Sequence, residues 1–320
     1  MEQKTLVTDI AADTLRGFSA NPKFLLSKYF YDDAGSSIFQ DIMKMPEYYL
    51  TNCEFEIFSN NKKQITDAFR EGVSAFDLIE LGSGDGLKTK ILLQFLVDNS
   101  ASFHYIPVDI SDKANIDLVK SLKSEMPFLN VNSKTGDYFQ EVKKLNGYSG
   151  LRKVILFLGS NIGNFSDEEI NLFLWQLSKL CHKGDKTLIG FDLKKSPDLI
   201  MKAYNDSQGH TRRFNLNHLI RLNRELNANF DPHNFEQHTE YNPLNGKVKS
   251  FLISKTEQTV YIASLDQNFH LKQWEPIFME LSRKFDLETI EKLAEGHGFK
   301  VDIIFTDTHN YFVDSLWIKQ

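Results

Sequence analysis

Three glycines and two acids carry the first chemistry in this chain. The run Glu80-Leu81-Gly82-Ser83-Gly84-Asp85-Gly86 closes an apolar stretch from Phe76 that reads as a β-strand. Glycines there let the backbone turn tightly and approach a ligand with no Cβ in the way. The spacing is G-x-G-x-G, whereas the dinucleotide fingerprint is G-x-G-x-x-G. Asp109 ends the next predicted strand, in Tyr105-Ile106-Pro107-Val108-Asp109, where a carboxylate can accept hydrogen bonds from both hydroxyls of a ribose. Gly136-Asp137-Tyr138 follows the strand after that, where Asp137 can take an adenine amino group and Tyr138 can pack on the ring. All three places lie at the carboxyl ends of adjacent strands, where open α/β sheets bind ligands. Each acid alone reads equally well as a helix cap, and the glycine cluster alone as a plain turn. Three in register point to a nucleoside-containing ligand. A nicotinamide oxidoreductase is the competing reading, although its third glycine would fall one residue beyond Gly86.

The elements that must position these groups follow from periodicity. Residues 1 to about 72 read as helical, with Ile38, Phe39, Ile42 and Met43 on one face of a segment opened by Ser36 and ended by Pro46. From about residue 75 strands alternate with helices, which implies parallel pairing. The strands are expected at Phe76 to Leu81, Phe103 to Asp109, Leu129 to Ser133, Lys153 to Leu158 and Thr187 to Leu193. Helices are expected near Lys88 to Val97, after Ser111-Asp112, and after Ser166, which with Glu169 has the pattern of a capping box. Residues 195 to about 285 break the alternation with two helical stretches and a hairpin at Asn245-Gly246. A helix from Leu287 to about Glu295, a stop at Gly298 and strands at Phe299 to Phe305 and Tyr311 to Ile318 then resume it. The expected fold is α/β, one open sheet interrupted by an inserted α+β domain with which the amino-terminal helices pack.

Composition excludes several classes. The 320 residues are 41% hydrophobic and 25% charged, the balance of an ordinary globular chain, and 26 phenylalanines allow a large aromatic core. A net charge of -6 with scattered Lys and Arg argues against a nucleic-acid substrate, which calls for a basic stripe. Cys53 and Cys181 are far apart and suit a reducing compartment. The start, MEQKTLVTDI, lacks an apolar signal core, and no apolar run approaches the roughly 18 residues that span a bilayer. The expectation is a cytoplasmic monomer with no membrane or nucleic-acid partner. The nine histidines offer no defensible pair of metal ligands, His233 and His238 reading as surface residues of a polar loop, so no metal is expected.

Five segments in fixed order make the chain resemble a known family over nearly its whole length. They are Tyr29-Phe30-Tyr31-Asp32-Asp33-Ala34-Gly35-Ser36, Pro46-Glu47-Tyr48-Tyr49, Glu80-Leu81-Gly82-Ser83-Gly84, Phe157-Leu158-Gly159-Ser160-Asn161-Ile162-Gly163-Asn164-Phe165 and Glu280-Leu281-Ser282. The resemblance is to the histidine-specific Nα-methyltransferases of ergothioneine biosynthesis, which make hercynine from L-histidine. It implies a Rossmann-like class I methyltransferase sheet, residues 61-194 plus 286-320, that binds S-adenosyl-L-methionine. It also implies a substrate-recognition domain, residues 1-60 plus 195-285. On matching positions it places Gly82, Gly84, Lys88, Asp109, Asp137 and Tyr138 at the cofactor. Tyr48, Asn164 and Tyr204 fall at the substrate's carboxylate and amine, and Tyr31, Glu280 and Ser282 near the imidazole, with Tyr31 and Asn164 expected to be catalytic. The family can carry a bulky side chain facing the imidazole on the strand after Asn245-Gly246, where this chain offers Ser250, Phe251 or Leu252.

The residue types suit these roles. Tyr hydroxyls can partner a buried carboxylate or ammonium. The Asn164 amide oxygen can accept from an α-amine, though a turn residue is its plain reading. Glu280 and Ser282 alternate, so in an extended segment both face one side. A carboxylate and a hydroxyl match the two nitrogens of a neutral imidazole, whereas an indole has a single N–H. No nucleophile with a base partner stands out, which fits displacement at an already activated methyl. Two alternatives remain: the same chemistry on another aromatic amino acid such as tryptophan, and a fold that only senses the nucleoside.

Overall fold

The computed structural model describes residues 2–145 and 150–320; Met1 and residues 146–149, which the sequence reading includes in its domain ranges, lie outside the described residues. The chain opens with α1 (Glu2–Ser19), β1 (Lys23–Phe24) and α2 (Asp33–Lys44). Helix α3 (Tyr49–Arg70) leads into β2 (Ala75–Leu81), α4 (Thr89–Asp98), β3 (Ser102–Asp109), α5 (Asp112–Glu125) and β4 (Lys134–Thr135). The alternation continues through α6 (Tyr138–Leu145), β5 (Arg152–Phe157), α7 (Asp167–Leu180) and β6 (Lys186–Asp192). An insertion follows, made of α8 (Pro197–Tyr204), α9 (His210–Leu226), β7 (Phe235–Asn242), β8 (Lys247–Ser254), β9 (Gln258–Ile262), β10 (Gln267–Leu271) and β11 (Pro276–Arg283). The chain ends with α10 (Leu287–Gly296), β12 (Phe299–Thr306) and β13 (Phe312–Lys319).

Contacts divide the chain into two compact units, one from residues 1–49 and 195–283, the other from 50–194 and 284–320. Residues 50–60 thus fall in the second unit, whereas the sequence reading grouped them with the recognition segments. The reason is that α3 runs on from Tyr49 to Arg70 without a break, leaving no turn at which to divide it.

The second unit is a seven-stranded sheet in the order β12-β13-β6-β5-β2-β3-β4. Strands β2 to β6 pair in parallel, and β2, β5 and β6 bury both faces, which explains their near-continuous apolar runs. Here the structure departs from the expected parallel pairing, because β13 lies antiparallel between β6 and β12. Residues 307–311 are too few for a crossover and suffice for a hairpin. The expected strand at Leu129 to Ser133 also shrinks. Only Val131 bridges Tyr105, and the regular pairing is confined to Lys134 and Thr135 at the sheet edge. The polar sequence Asn130-Val131-Asn132-Ser133 has little to bury there. The capping box at Ser166 and Glu169 forms as the pattern requires.

The first unit is built on a four-stranded sheet, β1-β11-β8-β7, beside the two-stranded β10-β9. Helix α9 packs on β7 and on α2, around a core that includes Phe18, Phe30, Phe214, Phe235, Leu252 and Ile277. Helix α2 starts at Asp33 rather than at Ser36 because the Asp32 side chain caps it, accepting from the Gly35 N–H at 2.7 Å. Asp32 also receives Asn217 Nδ2 at 2.8 Å and Arg224 at 2.7 Å from α9. Burial opposes the charge, yet Arg224, the Gly35 N–H and Asn217 hold Asp32 below the usual carboxylate range. His238 lies exposed on β7 rather than in a loop. Among the described residues no helix is long and apolar enough to cross a membrane.

His218 on α9 is fully buried against Phe30 and Tyr29, and neither ring nitrogen has a hydrogen-bond partner among the described residues. Burial, with Arg221 nearby, pushes its pKa down to about 3. The unfolded chain therefore takes up a proton near pH 6.5 that the folded chain refuses until about pH 3, so stability falls as pH drops through that window. The loss is on the order of 5 kcal/mol at its foot. In acid denaturation followed by circular dichroism, His218→Leu should flatten this dependence between pH 6 and 3. An unchanged profile would show that the ring is solvated.

Candidate active site

In the second unit the predicted nucleoside groups converge at the carboxyl edge of β2, β3 and β4. Gly82, Gly84 and Gly86 all take left-handed backbone angles (φ 73°, 52° and 65°), which a side chain would resist. A Cβ on Gly82 would also come 2.9 Å from the Tyr138 hydroxyl, so the turn and that ring are close neighbours. Asp109 Oδ2 accepts the Gly84 N–H at 3.1 Å, and Oδ1 accepts that of Ser111 at 2.9 Å. Asp137 Oδ1 accepts from Phe139 and Gln140 at the start of α6. Both acids thus do the capping work of their plain reading. A carboxylate has about four acceptor positions, and each acid keeps some of them. Burial, then Asp109 and Asp137, push the Tyr138 phenol up to about 12, so it stays a donor. Ser83 supplies a buried hydroxyl with no hydrogen-bond partner among the described residues, an orphan that a polar ligand would satisfy. These features fit a ribose and an adenine.

The strand leading into the turn is locked from beneath. Glu80 accepts Thr89 Oγ1 at 2.6 Å and the Tyr105 hydroxyl, joining β2 to α4 and β3. Burial pushes Glu80 up to about 7 against those two hydrogen bonds. Lys88 departs from the rest of the predicted set. Its ammonium pairs with Glu54 of α3 and lies near Gly159 rather than among the Asp109 and Asp137 carboxylates.

Beyond β5 the chain turns through Gly159 (φ 74°) and Ser160 (φ 56°) into a short 3-10 helix, Asn161–Asn164. Ser160 Oγ accepts the Asp192 N–H at 2.9 Å, and Asn164 sits half-buried at the end of the turn.

The first unit brings the other predicted residues into one connected row. Tyr31, about half exposed, meets Phe39 edge-on at 5.4 Å between ring centroids. Phe39 meets Tyr48 at 6.2 Å, and Tyr48 meets Tyr204 at 6.4 Å. The Tyr204 and Ser282 hydroxyls are hydrogen-bonded at 2.8 Å. Tyr204 and Ser282, assigned to opposite ends of a substrate, are thus immediate neighbours.

Strand β11 places Glu280 and Ser282 by means of a bulge at Met279. Ile277 pairs with Leu252, Glu280 with Ser250 and Ser282 with Val248. Strict alternation from Ile277 would have turned Glu280 to the opposite face; the extra residue returns it to the face of buried Ser250 and Leu252. Of the three residues offered opposite the imidazole, Ser250 is the one directly across from Glu280. Phe251 lies on the other face against Phe278, and Leu252 is in the core. Thr239 extends the row beyond Ser250, its hydroxyl donating to the Tyr204 carbonyl at 3.0 Å.

Sequence reasoning missed Glu54, Ser83 and Thr239 as parts of this arrangement, and left Ser250 as one of three candidates. Glu54 left a readable trace, an acid spaced three and four residues from Leu50, Ile57 and Phe58 on the apolar face of its helix. Among the described residues one trio could offer ligands to a metal, Glu56, Asp307 and His309. Its carboxylates already accept the backbone N–H groups of Thr308, His309, Tyr311 and Phe312, which accounts for them as loop caps.

Comparison with known proteins bears on the whole chain. Residues 10–319 match the family described as histidine-specific methyltransferase, SAM-dependent. The histidine N-alpha-methyltransferase of Mycolicibacterium smegmatis is 33% identical over 98% of this chain and 98% of its own length. That of Mycobacterium tuberculosis is 32% identical over 96% of this chain and 94% of its own. Ergothioneine biosynthesis protein 1 of Schizosaccharomyces pombe is 27% identical over 87% of this chain, which spans 36% of that longer protein.

Proposed function

The chain belongs to the SAM-dependent, histidine-specific methyltransferase family, and from that premise we propose that it methylates the α-amine of L-histidine, up to three times, giving hercynine. The observation that supports the acceptor is the bulge on β11, which sets a carboxylate and a hydroxyl side by side on one face, beside Tyr204. S-adenosylmethionine, when bound, supplies a methyl already activated by its sulfonium. The protein's task is then positioning, which can lower a barrier by roughly 7–11 kcal/mol.

The residues divide that task. Asp109 accepts the ribose hydroxyls, Asp137 and Tyr138 hold the adenine, Gly82 and Gly84 give the backbone its close approach, and Lys88 contributes the cation of the site. Tyr48 and Tyr204 donate to the substrate carboxylate. Asn164 accepts from the amine and so directs its lone pair. Glu280 and Ser282 take the two imidazole nitrogens. Tyr31, with its partly exposed ring, passes the amine proton toward water. The enzyme acts as a cytoplasmic monomer on a free amino acid and not on nucleic acid, in keeping with a net charge of -6 and two free buried cysteines.

The test is incubation with S-adenosylmethionine and a panel of amino acids, read by mass spectrometry. Histidine should gain one, two and three methyl masses, and tryptophan none. No mass gain on histidine would end the proposal.

A further inference from the structure

Glu54 is fully buried on α3, among Leu50, Ile57 and Phe58. An acid in such a place is costly unless it is paired. Its carboxylate holds two groups from different parts of the sheet edge. Oε1 accepts the Gly159 backbone N–H at 2.8 Å, and Oε2 pairs with the Lys88 ammonium. The sheet is shaped around it, because a Cβ on Gly190 of β6 would come 2.6 Å from Oε1. Opposite Gly190 in register stands Asp314, likewise buried. Burial and then the Glu54 charge push the Asp314 carboxyl well above the usual carboxylate range.

What Glu54 grips is the strained part of the site. Ser160 is a side-chain-bearing residue in the left-handed region, a conformation that persists only where neighbours impose it. Glu54 fixes the residue before it, and the Asp192 N–H bonded to Ser160 Oγ fixes the other side. Four residues further on stands Asn164.

We infer that Glu54 is a positioning residue of the methyl-transfer site, one carboxylate that fixes both the Lys88 ammonium and the turn carrying Asn164. The roles of Lys88 and Asn164 rest on the function proposed above; the clamp itself does not.

Three measurements test it. Hydrogen exchange over residues 158–165 reads the clamp in the ligand-free protein, and Glu54→Leu should speed it about tenfold there while leaving the rest of the sheet unchanged. Unaltered exchange over that segment would overturn the inference. Calorimetric titration with S-adenosylhomocysteine should show Glu54→Gln binding about tenfold more weakly than the parent chain. In a cycle with Lys88→Met, the double variant should bind no more weakly than Lys88→Met alone, and additive losses would overturn the inference. Turnover should fall about tenfold in kcat for Glu54→Gln, with the KM for histidine within about twofold. A Glu54 that served stability alone would lower the melting temperature and leave kcat per folded molecule untouched. If Glu54→Gln does not fold, Glu54→Asp keeps the charge one methylene further back and must change kcat in the same direction. A parent chain that binds the nucleoside but ignores histidine would sink the function and leave the binding cycle standing.

Discussion

Asp109→Ala should weaken S-adenosylhomocysteine binding by about 10²–10⁴-fold, the largest single effect expected in this protein. Two hydrogen bonds from ribose hydroxyls to an ionised carboxylate contribute about 1.5–3 kcal/mol each. The same carboxylate accepts the Gly84 and Ser111 N–H groups, so alanine also loosens the glycine turn. Asp109→Asn separates the two effects. Its amide oxygen can still accept from one N–H, and the variant should lose less than alanine in calorimetry while melting close to the parent. If Asp109→Ala binds the nucleoside within about threefold of the parent chain, a margin under 1 kcal/mol, the carboxylate is only a loop cap and the ribose lies elsewhere.

Glu280→Ala should lower kcat/KM for histidine about tenfold to a hundredfold, with cofactor affinity unchanged. The estimate follows from leaving one imidazole nitrogen unpaired in a buried place, on the order of 1–3 kcal/mol. Ser282→Ala should cost less, since a neutral hydroxyl makes the weaker bond and Tyr204 remains beside it. The informative comparison is between acceptors. An indole offers a donor N–H but no acceptor nitrogen, so it is loss of the donating hydroxyl in Ser282→Ala that should narrow the preference for histidine over tryptophan. Equal losses on both amino acids in Ser282→Ala would mean that this hydroxyl does not read the ring.

The parts of this protein that could be read in advance are those governed by short-range rules. The glycine turn, the acids at the tips of β3 and β4, the Ser166 capping box and the buried runs of β2, β5 and β6 each follow from local periodicity or capping. Pairing direction is another matter. Nothing within Phe312–Lys319 distinguishes a parallel from an antiparallel strand, since both bury both faces; the direction is settled by the short link at residues 307–311. The edge strand β4 was overextended because its residues alternate without enough apolar surface to hold a ladder. In the site, the choice among Ser250, Phe251 and Leu252 depended on register, which a hairpin turn alone did not reveal. The alternation of Glu280 and Ser282 was legible, but the bulge that sets their face against Ile277 was not, because an extra residue leaves no compositional mark. Glu54 escaped because its partners, Lys88 and Gly159, lie 34 and 105 residues further along the chain.

The place of β13 has a bearing on synthesis. This strand is the last of the seven in chain order, yet it lies inside the sheet, between β6 and β12. Until it emerges, the flank of β6 presents an unpaired apolar edge, the kind of surface that recruits other strands. The nascent chain must therefore hold its nucleoside-binding half open until β13 has been made, and a stop just before Phe312 would leave a sticky, unfinished sheet rather than a shortened enzyme.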